Sequence, residues 1–171
     1  KNGNEISNVS LHSNGCYNPE SVSISVDGRY SAVGTGRYNG CSGGGNAGSL
    51  HFIDWLNSSN NWQYDLSYQV KAVSISSDGE HIVGVTSAGQ VFLFNKKNNT
   101  VIWEYETSGS SSFSDVSISS DGEYIVAVGY SPGTFVFQRD SSDPIWETSD
   151  NYNFVDISAD GQYFVIGEKS G

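Results

Sequence analysis

VSISSDGEHIVGVTSAGQVFLF, residues 73–94, is the stretch whose reading decides the fold. Val73 and Ile75 alternate with Ser74 and Ser76, the period-2 pattern of a strand with one buried face. Asp78-Gly79 then supplies the positive φ angles of a tight hairpin turn. Behind the turn, Ile82-Val83-Gly84-Val85 is apolar on both faces, as an inner, doubly covered strand must be. VFLF at 91–94 opens a third strand, and Ile102-Trp103-Glu104 a fourth.

The same sentence is written three more times: SISVDG at 23–28, SISSDG at 117–122 and DISADG at 156–161. The turn residues are therefore Asp27-Gly28, Asp78-Gly79, Asp121-Gly122 and Asp160-Gly161. Three residues past each Asp stand Tyr30, His81, Tyr124 and Tyr163. Sixteen past it, the second and third units place Phe94 and Phe137, and nine further on Trp103 and Trp146; the first unit follows with Phe52 and Trp62. Asp78 to Asp121 spans 43 positions and Asp121 to Asp160 spans 39. Four short strands (a, b, c, d) at this period, with no 3.6-residue apolar stripe, predict an all-β chain of antiparallel four-stranded β-propeller blades, about three to four of them. The first unit is longer, with an excess of nine residues inside GTGRYNGCSGGGNAG (34–48).

The whole of 1–171 reads as one propeller segment: an outer strand at about 5–11, then units at about 20–66, 71–107, 114–150 and an incomplete one at 153–171. Strand edges need partners. The array is expected to belong to a larger ring of about six to eight blades, to pair with another copy, or to close on itself. The chain holds no Met, so Lys1 reads as lying downstream of a translation start.

The strings VSISSDGEYIVAVG (116–129), VFLF (91–94) and IWEY (102–105) resemble the repeat proteins related to WD-repeat and quinoprotein-type propellers of archaeal and bacterial cell surfaces. The resemblance covers nearly all of 5–171. It implies a propeller scaffold. The Gly-His and Trp-Asp pairs of WD repeats are absent, and so is any quinoprotein cofactor pattern, so it implies no cofactor.

A formal charge of −11, from 19 acidic and 8 basic residues, repels phosphate backbones and anionic lipid, so neither nucleic acid nor membrane insertion is expected. No apolar run approaches the ~20 residues of a membrane helix. Cys16 and Cys41 reach the same end of the first hairpin, which reads as a disulfide closing a loop of about 25 residues and contributing roughly 3 kcal/mol in the chain-entropy model. With Asn-x-Ser/Thr sequons at Asn8, Asn57 and Asn98, this leans towards an extracellular or cell-surface protein.

Catalytic signals are weak. Gly40-Cys41-Ser42-Gly43-Gly44 matches a nucleophile elbow, and Gly43, Gly45 and Gly48 a dinucleotide fingerprint, but no helix follows either. His12 and His51 lack zinc-like spacing to the cysteines, and Asp140-Ser141-Ser142-Asp143 is too short for a calcium loop, so no metal site is expected. The recurring tryptophans Trp62, Trp103 and Trp146 read as packing between blades. Specificity is expected where the units differ: Tyr38, Asn39 and Asn46 in the inserted connection (35–48), with Trp55, form the candidate binding loop. The expected function is a non-catalytic interaction module for a protein or glycan partner. The alternatives are a self-assembling surface-layer or filament subunit, joined to its copies through open strand edges, and a piece of a propeller enzyme (hydrolase, lactonase or quinone-dependent dehydrogenase).

Overall fold

The computed structural model describes residues 11, 16–37, 47–108, 111–131 and 133–168. Its strands fall in the expected order. Blade 1 is β1 (Tyr17–Ile24), β2 (Tyr30–Arg37), β3 (Gly48–Asp54) and β4 (Trp62–Leu66). Blade 2 is β5 (Val70–Ile75), β6 (His81–Thr86), β7 (Gln90–Asn95) and β8 (Val101–Glu106). Blade 3 is β9 (Ser112–Ile118), β10 (Tyr124–Tyr130), β11 (Gly133–Gln138) and β12 (Trp146–Thr148), and blade 4 begins with β13 (Phe154–Ile157) and β14 (Phe164–Gly167). Each of the first three is a four-stranded antiparallel sheet in chain order, and the fourth has two strands. The expected outer strand at 5–11 lies outside the described residues, apart from Leu11.

Every a–b turn is built alike. In blade 2, Ser76 N donates to the His81 carbonyl and Gly79 N to the Ser76 carbonyl, both at 2.9 Å. Asp78 Oδ1 accepts from Ser76 Oγ at 2.7 Å and from Glu80 N at 2.9 Å, while Ser76 Oγ accepts from His81 N at 3.0 Å. The serine two places before each Asp makes the same bonds in the other blades. Only the glycine takes positive φ: 74° at Gly28, 72° at Gly79 and Gly122, 69° at Gly161. The aspartates were expected to share that conformation. They instead brace the turn as side-chain acceptors, because a carboxylate can tie the serine hydroxyl to the chain beyond the glycine.

Blades stack through strand a. β5 lies against β1 and β2, β9 against β5 and β6, and β13 against β9 and β10. A hydrogen-bond ladder runs across the turns: Val26 N to the Ser77 carbonyl, Ser77 N to that of Ser120, and Ser120 N to that of Ala159, each 3.0 Å. Beneath it the sheets bury two apolar faces. Tyr30, Ala32, Leu50 and Phe52 of blade 1 meet Val70, Val73, Ile75, Ile82 and Phe94 of blade 2. Val83, Val85, Val91 and Leu93 meet Phe113, Val116, Ile118, Ile125 and Phe137 of blade 3. Trp62 closes the outer rim, its ring 5.5 Å from Phe52 and from Phe94, and its Nε1 donates to the Lys96 carbonyl at 2.9 Å. Trp103 repeats this with Phe137 and the Arg139 carbonyl.

The pairing register corrects one alignment. Ile82 pairs with Phe94 and Ile125 with Phe137, but in blade 1 the matching Ser31 pairs with Ile53. Phe52 therefore corresponds to Leu93 and faces blade 2, and the insertion is ten residues rather than nine. The count from Asp27 slipped because Phe52 is the aromatic residue of a strand whose counterparts carry Phe one place later.

A Cβ on Gly79 would stand 2.3 Å from the Tyr30 ring, whereas one on Gly28 would meet nothing within 4 Å. Both glycines have the same left-handed backbone, which costs an alanine about 1–2 kcal/mol. Gly28→Ala is expected to show that loss alone in denaturant unfolding. Gly79→Ala is expected to lose at least about 1 kcal/mol more, and Tyr30→Ala should relieve the excess in a double-mutant cycle. Equal losses for the two alanines would show that the ring contact carries no weight.

Candidate interaction sites of the first blade

Blade 1 differs from its copies at both ends of its sheet. Where β2 meets the turn, Tyr30 pairs with Asp54. Trp55 N donates to the Arg29 carbonyl, as Lys96 N does to Glu80 and Arg139 N to Glu123. Trp55 therefore occupies the place of a cation. Blades 2 and 3 hold Glu80–Lys96 and Glu123–Arg139 ion pairs there. In blade 1 the charge is reversed and moved by one residue. Arg29 forks onto Asp54, with Nη2 3.0 Å from Oδ2 and Nε 3.2 Å from Oδ1.

Asp54 is buried and heavily used. It accepts from Asn60 Nδ2 at 2.8 Å and from the backbone N of Leu56 and Asn57 at 3.0 and 3.2 Å. The Arg29 hydrogen bonds hold its carboxyl far below the usual carboxylate range, against the opposing effect of burial, and the Asn60 amide and Leu56 N add to the depression. These bonds shape the c–d connection into a single 3-10 turn, Ser58–Asn60, capped by the Asn57 side chain through Ser59 N. Trp55 is half-buried, with Nε1 donating to Ser31 Oγ at 2.8 Å, and Leu56 beside it is 78 % exposed. Arg29 and Lys96 both lie over the Tyr30 ring, at 4.8 and 4.7 Å from its centroid. Tyr30, Phe52, Asp54, Asn60, Lys96 and Lys97 line a shallow cavity of about 210 Å³.

The other end of the sheet carries the inserted connection. β2 ends at Arg37 and β3 starts at Gly48, closed by Arg37 N donating to the Ala47 carbonyl at 2.8 Å. The matching connections of blades 2 and 3 join Thr86 to Gln90 and Tyr130 to Gly133. Tyr38, Asn39, Cys41 and Asn46 lie outside the described residues, as does the sequon at Asn8. Cys16 precedes Tyr17, which pairs with Arg37, so β1 starts at the end from which the connection leaves.

Trp55 is not at that end. Seven residues of strand, about 20 Å at the usual rise, separate it from the connection. Trp55 thus follows the end of β3 opposite to the one at which the inserted connection arrives. Sequence reading missed Arg29 and Asp54, although Arg29 stands where the other units have Glu80, Glu123 and Gln162.

Asn57 and Asn98 are exposed, and each caps a local turn with its side-chain oxygen. His51 Nε2 lies 3.1 Å from Ser49 Oγ inside the sheet. His81 packs over Gly122, with burial lowering its pKa. Asp140 takes a bond from Arg139 Nε, and Asp143 N donates to Ser141 Oγ. Among the described residues no three His, Cys, Asp or Glu side chains converge, and no helix is long and apolar enough to cross a membrane.

No family model and no curated protein sequence matches this chain.

Because its pKa is depressed in the folded state, Asp54 contributes stability that is present above its unfolded value near 3.8 and is lost as pH falls below it. The turn aspartates Asp27, Asp121 and Asp160, held low chiefly by their serine hydroxyls, act in the same direction. The thermal midpoint is expected to stay level from about pH 8 to 5 and to fall below about pH 4. Asp54→Asn should start lower at neutral pH and fall less steeply in acid. An acid limb identical to the wild type's would show that the Arg29–Asp54 pair adds nothing.

Proposed function

We propose that this chain is a non-catalytic interaction module, a β-propeller segment of an extracellular or cell-surface protein whose first blade presents the 38–47 connection to a protein or glycan. One observation carries this reading: the b–c connection spans ten residues in blade 1 (38–47) but three in blade 2 (87–89) and two in blade 3 (131–132). Repeated positions are consumed by the repeat itself. The turn serines and aspartates bond one another, and Trp62 and Trp103 fill the rim between blades, while Trp146, at the last blade contact, is half exposed. What the copies share holds the scaffold, so recognition falls to what one blade alone possesses.

A Cys16–Cys41 disulfide would tether that connection to the start of β1, limiting the entropy lost when a partner binds. The exposed sequons at Asn57 and Asn98 accord with passage through a glycosylating, oxidising compartment. The likeness to WD-repeat and quinoprotein-type surface propellers belongs to the same reading.

Replacing residues 38–46 by a short Gly-Ser turn should leave the far-UV dichroism and the unfolding midpoint near those of the wild type. Binding to immobilised glycans and extracellular proteins should disappear. Binding retained by the shortened chain, or no binding by the wild-type chain, would refute the assignment.

A further inference from the structure

The boundary between blades 1 and 2 has a corner that the boundary between blades 2 and 3 does not repeat. A shallow cavity of about 210 Å³ lies there, between Tyr30, Phe52, Asp54 and Asn60 of blade 1 and Lys96 and Lys97 of blade 2. Both blades are complete four-stranded sheets, and every wall of the cavity comes from them.

The repeat shows what the corner has gained. Arg139 and Asp140 stand in blade 3 where blade 2 has Lys96 and Lys97, and there the cation is used twice. Arg139 Nη2 lies 3.0 Å from Glu123 Oε2, and its Nε 3.5 Å from Asp140 Oδ1. At the first corner Lys96 pairs with Glu80, and Asp54 is held by Arg29. Lys97 puts a second cation where blade 3 has its second acid, and its ammonium has no ion-pair partner among the described residues.

An unpaired surface lysine is ordinary, but this one borders a wall fixed from beneath. The Asp54 side chain is 1 % exposed and accepts from Asn60 Nδ2 at 2.8 Å. That bond orients the Asn60 amide and leaves its Oδ1 without a hydrogen-bond partner among the described residues. Asp54 takes five N–H bonds, from Arg29 twice and from Leu56, Asn57 and Asn60, so its own acceptor sites are filled. Lys96 is held 4.7 Å from the centroid of the Tyr30 ring, which stacks on Phe52 at 5.6 Å.

The cavity therefore offers one free cation, one fixed carbonyl oxygen and the edges of two aromatic rings. A bare anion uses only the first, and a neutral sugar only the other two. A pyranose with one carboxylate uses all three. Its volume is below the roughly 300–1,000 Å³ of pockets for drug-sized ligands, which suits a single ring. The net charge of −11 repels a polyanion at long range, while one carboxylate in contact with Lys97 is held by a charge-assisted hydrogen bond.

We infer that this corner binds one carboxylated sugar ring, a hexuronate or a sialate. The carboxylate accepts from Lys97 Nζ, a ring hydroxyl donates to Asn60 Oδ1, and the C–H face lies towards Tyr30 and Phe52. The site uses no residue of the 38–47 connection.

Amide and indole shifts of the full chain, titrated in free solution with methyl glucuronide, methyl sialoside, methyl glucoside and acetate, test this. One or both acidic sugars should move Asn60, Lys96, Lys97 and the Trp62 indole with a dissociation constant of about a millimolar, and the tighter of the two names the source. Lys97 is exposed, so Lys97→Gln should fold with wild-type dichroism and weaken binding at least about fivefold, and Lys97→Arg should restore it. A complex this weak dissociates too fast to survive washing on an immobilised array, and replacing residues 38–46 should leave the titration unchanged. No shift with either acidic sugar, acetate or glucoside binding as well as they do, wild-type binding by Lys97→Gln, or loss of the titration in the chain shortened at 38–46 would each overturn the inference.

Discussion

An aromatic ring lying on a glycine sets the geometry of this array. The two sheets can approach only where the turn glycine has no Cβ, since the ring of the preceding blade fills that space at Gly79, Gly122 and Gly161. The same glycine must hold positive φ to close the hairpin, which glycine alone does without strain. Turn closure and sheet spacing are therefore one requirement, met by one residue. The bracing aspartate fixes the turn, the turn fixes the phase of strand a, and that phase decides which side chains face the neighbouring blade. A shift of one residue would turn Val73 and Ile75 outward and their serines inward.

Once the phase is set, apolar burial supplies most of the favourable energy and polar contacts decide alignment. Phe52, Phe94, Phe113 and Phe137 are almost completely buried, each worth about 1.5–3 kcal/mol by transfer. Serine and aspartate acceptors of the preceding blade's strand a give the N–H groups of Val73, Ile75, Ile118 and Val155 the partners that buried backbone requires. This explains the alternation of apolar residues with Ser rather than with Lys or Glu. A short hydroxyl reaches the next strand without holding the blades apart.

Most of the fold was legible in the sequence because the repeat states it four times. Val73 and Ile75, read alone, fit any half-buried strand; recurring at Val116 and Ile118 before another Asp-Gly, they define a blade. The Phe52 slip shows the limit of counting. An insertion was placed by the nearest Phe, while the register is set by backbone pairing that carries no residue label. The first-blade corner was hidden for a related reason. Arg29 and Asp54 are 25 positions apart, and only the β2–β3 pairing brings them together. Trp55 looked unique because its counterparts, Lys96 and Arg139, are charged. Its role as their positional equivalent emerges from the shared backbone bond, not from chemistry. The place of Trp55, past the end of β3 opposite to the inserted connection, was implicit in the strand order.

The carboxylates of this chain respond to acid in opposite directions according to where they sit. Those of the turns and of the first-blade corner accept hydrogen bonds at or near the surface, or pair with Arg29, and are easier to ionise than free aspartate. Asp115 lies between blades 3 and 4. Burial raises its pKa, the bonds from Val155 N and Val116 N work against that, and the nearby Asp156 raises it again. A raised folded-state pKa makes its contribution more favourable as pH falls and less so as pH rises, the reverse of the turns. Acid therefore weakens the turn contacts, whereas protonation of Asp115 does not weaken its contribution between these two blades. The turns hold the phase of strand a, so their carboxylates and Asp54 tie the array to pH in a way that the apolar side chains between blades, which carry no carboxylate, do not.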